Sequence, residues 1–287
     1  MNTLYIIASE AQEHAESVQL LSAAAEERNV PLVLVHPETF DYSAVLTLED
    51  GDMLYRARVG DQAALVERLL VHDGVATMYV DSSSVTRPLV DRPLALEKRG
   101  VPIVPTVHSV SRDRAQLDRS VEKLGGYPVI VKEIGGSHGV GVMKLDTPQS
   151  LYSVVDVLLG KGGRYIMRSY IEYKQHIRTI VLADKVIGAV EYPRVGNDFR
   201  SNVGDTIDVI PTDINEKIAA ASVAAVQVYG LEFGGVDVLV DEAGSVFVAE
   251  ANFPCFFPRV QLATNNDIAG AMIDHLVKKS ELLVTKP

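Results

Sequence analysis

The sequence predicts an α/β (α+β) protein: a small parallel α/β layer at the N-terminus, followed by two mixed α+β units. Three observations carry this reading. Short apolar, β-branched runs alternate with helical patterns over the first hundred residues, as in a parallel layer. The run VPIVPTV then interrupts the alternation at residues 101–107, and X-Pro pairs favour a linker or an edge strand. Beyond it, strands flank turn-rich groups, which points to antiparallel pairing. The expected units are residues 1–104, 105–170 and 171–287.

In the first unit, strands are expected at 3–8, 31–36, 52–58 and 74–80, with helices at 10–28 and 63–72. No glycine fingerprint follows the first strand, so the layer is not a dinucleotide site by motif. A helix at 94–99 stops at Gly100. The second unit reads as helix 112–124, strand 128–133, glycine loop 135–141, strand 142–145, helix 148–159 and strand 165–170. The third reads as strands 178–182 and 186–192, helix 214–229, paired strands near 235–240 and 245–250, and a closing helix at 268–279.

A net charge of −11 disfavours nucleic acid and anionic membranes as partners. Trp is absent and aromatics make up 6%, so stacking platforms for single strands are scarce. Residues 161–200 run against the acidic trend. They hold Lys161, Arg164, Arg168, Lys174, Arg178, Lys185, Arg194 and Arg200 against Glu172, Asp184, Glu191 and Asp198, a local +4. Two readings fit: a solvated basic face, or a cradle for a small polyanion such as a nucleoside triphosphate. The single cysteine, Cys255, allows no internal disulfide and fits a reducing compartment. The N-terminus lacks the basic and long apolar regions of a signal peptide. No run reaches membrane-spanning length. A cytoplasmic protein is expected.

Three segments carry chemistry. In GGVDVLVDEAGSVFVAEAN, two apolar runs flank a turn at 241–244. A turn centred between Glu242 and Ala243 sets Asp237 opposite Val248, with Glu250 and Asn252 continuing that face. Two buried acids without a counter-ion are costly, and a hard cation such as Mg²⁺ takes such oxygen ligands. The alternative is a one-sided sheet whose acids face solvent. In PVIVKEIGGSHGVGV, Lys132 ends a strand before a glycine-rich loop whose backbone N–H groups can approach phosphate. The alternative is a plain turn with a surface lysine. In VEYPRVGNDFRSN, Arg200 and Asn202 share one side of an extended segment, and Arg178 opens another strand. Arginine suits phosphate and carboxylate, although for each residue taken separately a surface charge is the commoner reading.

Taken in order, Lys132 with GGSHGVGV, then NDFRSN, then GGVDVLV with VAEAN resemble the ATP-grasp superfamily, in its RimK-like branch of glutamate and amino-acid ligases. The resemblance covers residues 125–252 and continues in NNDIAGAMIDHL. It implies an ATP-grasp fold whose two α+β subdomains sandwich ATP, with ATP and Mg²⁺ as cofactors. By resemblance, Lys132 contacts the phosphates and Gly136, Ser137, His138, Gly139, Val140 and Gly141 close over them. Met167, Ser169, Tyr170 and Ile171 form the hinge against adenine, and His176 lies by the ribose. Arg200, Ser201 and Asn202 reach the phosphates and the reacting carboxylate, while Asp237, Glu250 and Asn252 hold Mg²⁺. Arg200 and Arg178 steady the oxyanion.

The departures are specific. Arg168 and Ser169 stand where the family has Gln-Glu, His176 stands for an acid, and Pro88-Leu89 stand for an Asp-Lys pair. Phe253-Pro254-Cys255-Phe256-Phe257 replaces a small Ser-Pro-Gly turn. The first changes bear on nucleotide affinity, and the last suggests a more apolar acceptor pocket. The implied activity is an ATP-dependent carboxylate–amine ligase that forms an amide through an acyl phosphate. Its substrate is an amino acid or peptide, on a carrier protein or peptide tail, and the oligomeric state stays open. A dipeptide ligase for free amino acids and a silent nucleotide-binding partner are the competing readings. Replacing Asp237 or Glu250 with Ala is expected to abolish ADP release and leave the fold largely intact.

Overall fold

In a computed structural model, residues 2–9, 15–86, 92–134, 141–194, 199 and 208–285 are described. The N-terminal layer contains β1 (Leu4–Ile7), α1 (Ala15–Glu27), β2 (Leu32–Val35), β3 (Met53–Arg56), α2 (Asp61–Leu70), β4 (Ala76–Thr77) and α3 (Ser82–Val85). Its sheet is parallel, in the order β2-β1-β3-β4. Strand β1 is apolar without alternation because both its faces are covered. Leu4 and Ile6 enter one core, while Ile7 joins Leu54, Val66 and Leu70 under α2 in another. The strand expected at 74–80 shrinks to β4.

After α4 (Arg92–Lys98), the central unit holds β5 (Thr106–Val107), α5 (Arg114–Lys123), β6 (Val129–Glu133), β7 (Val142–Leu145), α6 (Pro148–Gly160) and β8 (Tyr165–Ser169). These strands form an antiparallel sheet, β5-β8-β6-β7. Helix α6 starts at a capping box between Thr147 and Ser150 with Pro148 in its first turn. One face of the sheet packs Val129, Val131 and Met167 against Leu117, Val121, Leu151 and Val155 of the two helices. Ile130 pairs with Lys144 and Arg168, and Lys132 with Ile166, so these five residues share the opposite face.

The third unit comprises β9 (Tyr173–Leu182), β10 (Lys185–Glu191), β11 (Ile210–Pro211), α7 (Glu216–Val228), β12 (Phe233–Asp241), β13 (Val246–Asn252), α8 (Pro258–Thr264) and α9 (Ile268–Val284). Its antiparallel sheet runs β11-β10-β9-β12-β13. Helix α7 covers one face, where Thr179 Oγ1 donates to Ser222 Oγ at 2.9 Å. Strand β9 begins earlier than the expected 178, because Lys174, Gln175 and His176 hide it behind polar residues.

One core runs through both the N-terminal layer and the third unit. Tyr55 meets Phe233 edge-on, with ring centres 6.1 Å apart, and Tyr79 meets Phe253 at 5.2 Å. The ammonium of Lys279 on α9 donates to Thr77 O at 3.1 Å, to Tyr79 O, and to Glu232 Oε2 at 2.5 Å. Among the described residues no helix is long and apolar enough to cross a membrane. Phe233 is fully buried at this junction. Phe233→Ala should therefore lower stability by about 3–5 kcal/mol, read as a fall in the urea midpoint with an unchanged slope.

Candidate active site

The β12–β13 hairpin closes through a three-residue loop. Gly244 has φ +78, its N–H donates to Asp241 O at 3.0 Å, and Asp241 N–H donates to Ser245 O at 3.1 Å. A glycine suits this left-handed position. From there Leu239 pairs with Phe247 and Val238 with Val248. The register then shifts by one residue, so Asp237 pairs with Glu250 and Gly235 with Asn252. This corrects the expected pairing of Asp237 with Val248. Ala249 is the extra residue of a β-bulge. Without it, alternation would send Glu250 to the face that Val236 occupies. With it, Asp237, Glu250 and Asn252 lie on one face, opposite the one α7 covers.

Strand β9 supplies the next residues, since Asp237 pairs with Arg178 and Leu239 with His176. Asp237 is 3% exposed. Arg178 Nε lies 3.0 Å from Asp237 Oδ1, and His176 Nε2 lies 3.6 Å from the same oxygen. The Arg178 contact is an ion pair without hydrogen-bond alignment, and Asp237 Oδ1 finds no hydrogen-bond partner among the described residues. Burial pushes the Asp237 carboxyl up, but Arg178, then His176 and Lys132, pull it below its ordinary value. Burial lowers Arg178, yet Asp237, Tyr192 and Cys255 hold it above its usual value. Burial pushes the Cys255 thiol up to about 12 against the pull of Arg178, so it stays protonated. A Cβ on Gly235 would stand 2.7 Å from Arg178 Nη1 and 2.9 Å from Cys255 Cβ. The bare strand there leaves room for the guanidinium.

The central sheet faces this array. Lys132 Nζ donates to Glu250 Oε2 at 3.0 Å, joining β6 to β13 across the gap between the two units. Lys144 Nζ lies 4.1 Å from the centre of the Tyr170 ring, a cation–π contact. Arg168 Nη1 donates to Ala249 O at 2.8 Å.

The other expected positions fall as follows. Met167 is fully buried in the helix-side core, so its side chain points away from this face. Ser169 Oγ donates to Leu124 O at 2.8 Å. Ile171 is half-buried next to Tyr170, and Gly141 takes φ +78 at the start of β7. Gly136, Ser137, His138, Gly139 and Val140, and with them Arg200, Ser201 and Asn202, lie outside the described residues. Of the basic window, Arg168 and Arg178 face the site, whereas Arg194 pairs with exposed Glu172 at 2.7 Å.

Tyr192, Gly235 and Lys144 carried no expected role, and Arg168 was expected only as part of the basic window and the hinge strand. A charged residue inside an apolar strand, as in YIMRSY, was the signal available for Arg168. Tyr192 is placed by ring contact with His176, with centres 5.0 Å apart, and nothing in its sequence context marks it.

Two carboxylates and an amide oxygen share this face, and Asp237 Oδ1 has no hydrogen-bond partner among the described residues; such oxygens are the ligand type that a hard divalent cation takes. No group of three or more His, Cys, Asp or Glu converges as a metal site among the described residues.

The RimK-like ATP-grasp domain model matches residues 92–276. The chain belongs to the RimK-like ATP-grasp family. Curated relatives that it matches are named as ligases. A probable alpha-L-glutamate ligase of Rhodopirellula baltica is 28% identical over 283 residues, covering 91% of this chain and 67% of the relative. A second, from Hahella chejuensis, is 32% identical over 189 residues, covering 64% and 60%. The alignments thus span about two thirds or less of those relatives. In fold, the chain resembles the ATP-grasp ligase PsnB complexed with its minimal precursor, with TM-score 0.74, 17% identity, and 97% and 100% of the two chains covered. It also resembles D-alanine–D-alanine ligase of Bacillus anthracis, with TM-score 0.71, 15% identity, and 99% and 98% covered.

The two acids of this RimK-like chain should not behave alike on substitution, a change from the sequence expectation. Asp237→Ala leaves the buried Arg178 unpaired and should cost about 3–5 kcal/mol. Glu250 is 39% exposed in its pair with Lys132, so Glu250→Gln should cost no more than about 1 kcal/mol. Urea unfolding of both variants checks this. Because the folded value of Asp237 is depressed, its contribution is present above the unfolded value of about 3.9 and is lost as pH falls through the lower folded value. The wild type should lose that increment only below about pH 4, and Asp237→Asn should show no such acid limb.

Proposed function

We propose that this chain joins a carboxylate to the amine of an amino acid or peptide, using ATP and forming an acyl phosphate on the way. One observation supports the reading most: Asp237, Glu250 and Asn252 on one sheet face meet Lys132 from the opposing sheet, with 3.0 Å between Lys132 Nζ and Glu250. That gap is where the phosphates of ATP belong. Asp237, Glu250 and Asn252 would hold Mg²⁺, which when bound offsets phosphate charge.

The residues then divide the work. Lys132 exchanges Glu250 for a phosphate oxygen. Ile130, Ile166 and the Lys144–Tyr170 pair on the same side offer a surface for the base and ribose, with Ile171 beyond them. An oxygen of the substrate carboxylate attacks the γ-phosphorus and ADP leaves, a transfer that depends on positioning and charge. The amine nitrogen then attacks the acyl carbon, loses a proton, and inorganic phosphate departs. Arg178 faces the developing oxyanion, and Arg200, with Ser201 and Asn202, grips the carboxylate. The loop of Gly136, Ser137, His138, Gly139, Val140 and Gly141 covers the intermediate against water. A reducing, ATP-supplied compartment such as the cytoplasm suits the single buried thiol.

Similarity to alpha-L-glutamate ligases, and in fold to a ligase complexed with a precursor peptide, favours an amino acid added to a peptide over a free dipeptide. The test is mass spectrometry of products from ATP, Mg²⁺, an amino-acid panel and glutamate-ended peptides. The expected product is heavier than a substrate by one amino acid less one water, with stoichiometric ADP. Glu250→Gln should lower ADP formation by at least about 100-fold. Nucleotide binding with no product across the panel would point instead to a silent nucleotide-binding partner.

A further inference from the structure

We propose that Arg168 is the positioning residue of the cation site: by holding the carbonyl of Ala249, it fixes the bulge that sets Glu250 opposite Asp237. The inference rests on the cation reading above and extends it to a residue outside the donor set.

Arg168 sits on β8, in the central unit, yet its Nη1 donates to Ala249 O on β13, in the third unit, at 2.8 Å. Ala249 is the residue left over where the register shifts between Asp237 and Val238. A bulge frees a carbonyl from the ladder, and here that carbonyl finds a charged donor. The other side of the bulge is pinned separately. Val248 N–H donates to Pro102 O at 2.6 Å, and Val104 N–H donates to Val248 O at 3.3 Å. The segment between them makes a parallel bridge from Ile103 to Val248. Val248 is therefore fixed to the linker and Ala249 to β8, and the chain has one place for its extra residue.

The location is costly for a cation. Arg168 is 8% exposed, and its Nε meets no hydrogen-bond acceptor among the described residues. Burying a guanidinium with one bonded arm is unfavourable unless something nearby offsets it. Burial does pull Arg168 below its usual value, with Glu250 and Tyr229 opposing that pull. A tie that served only to pack two sheets together could be an apolar contact at lower cost. Outer partners of this kind orient the direct ligands of a metal.

The test is the gain in nucleotide affinity that Mg²⁺ confers. Binding of the non-hydrolysable analogue AMPPNP is measured by calorimetry in EDTA and in saturating Mg²⁺. Arg168→Met should keep its metal-free affinity within about 2-fold and lose about 10- to 100-fold of the Mg²⁺-dependent gain. Arg168→Lys and Arg168→Gln each keep a donor and should retain most of it. Equal Mg²⁺ gains in Arg168→Met and wild type would overturn the proposal. So would a Gln variant that binds metal-free nucleotide but has lost the gain, even if the Met variant proves too unstable to purify. Glu250→Gln, run alongside, separates the two levels. If it too keeps the full gain, the cation assignment falls and this inference with it. If Glu250→Gln loses the gain and Arg168→Met does not, only the role of Arg168 is wrong.

Discussion

The phase of one strand decides which side chains share the face of Asp237. In β13 a single extra residue, Ala249, moves Glu250 from the side of the sheet under α7 to the side that carries Asp237. Side chains alternate with a period of two, so no partial shift is available. The bulge, the linker at Pro102–Val104 and the Arg168 guanidinium all bear on the same short stretch of backbone. The donor set is thus held by contacts from three parts of the chain.

The second constraint is charge. Asp237 is sealed in the sheet and would be unstable as an anion without Arg178 beside it. Glu250 is the more open acid and is held by Lys132. In this state each carboxylate has its own cation. A triphosphate and a metal ion bring both signs at once, so they can replace the Lys132–Glu250 pair without leaving either partner bare. Arg178 is the more buried cation, paired with an acid that is itself sealed in the sheet. The site therefore has one partly exposed pair, between the two sheets, and one buried pair on the third unit's sheet.

Much of this was legible in the sequence because it rests on local pattern. The alternating runs around Asp237 and Glu250, the turn with Gly244, and Lys132 at the end of an apolar strand each announce themselves over a few residues. The parallel layer followed from apolar runs such as LYII and LVLV between helical stretches. What was not legible depends on partners far along the chain. The bulge at Ala249 has no composition mark, and its carbonyl meets an arginine 81 positions away. The early part of β9 was missed because Gln175 and His176 are polar on account of the site they face. The role given to Met167 rested on its place in the hinge motif. Pairing with Val131 and Val107 turns its side chain into the core.

The account is tested most directly by a crystal structure of the chain with AMPPNP and Mn²⁺, with the metal located by its anomalous signal. It predicts a peak within coordination distance of Asp237, Glu250 and Asn252, with Lys132 withdrawn from Glu250 onto a phosphate oxygen. A metal peak remote from all three side chains, or a nucleotide bound outside the cleft while Lys132 stays on Glu250, would contradict it.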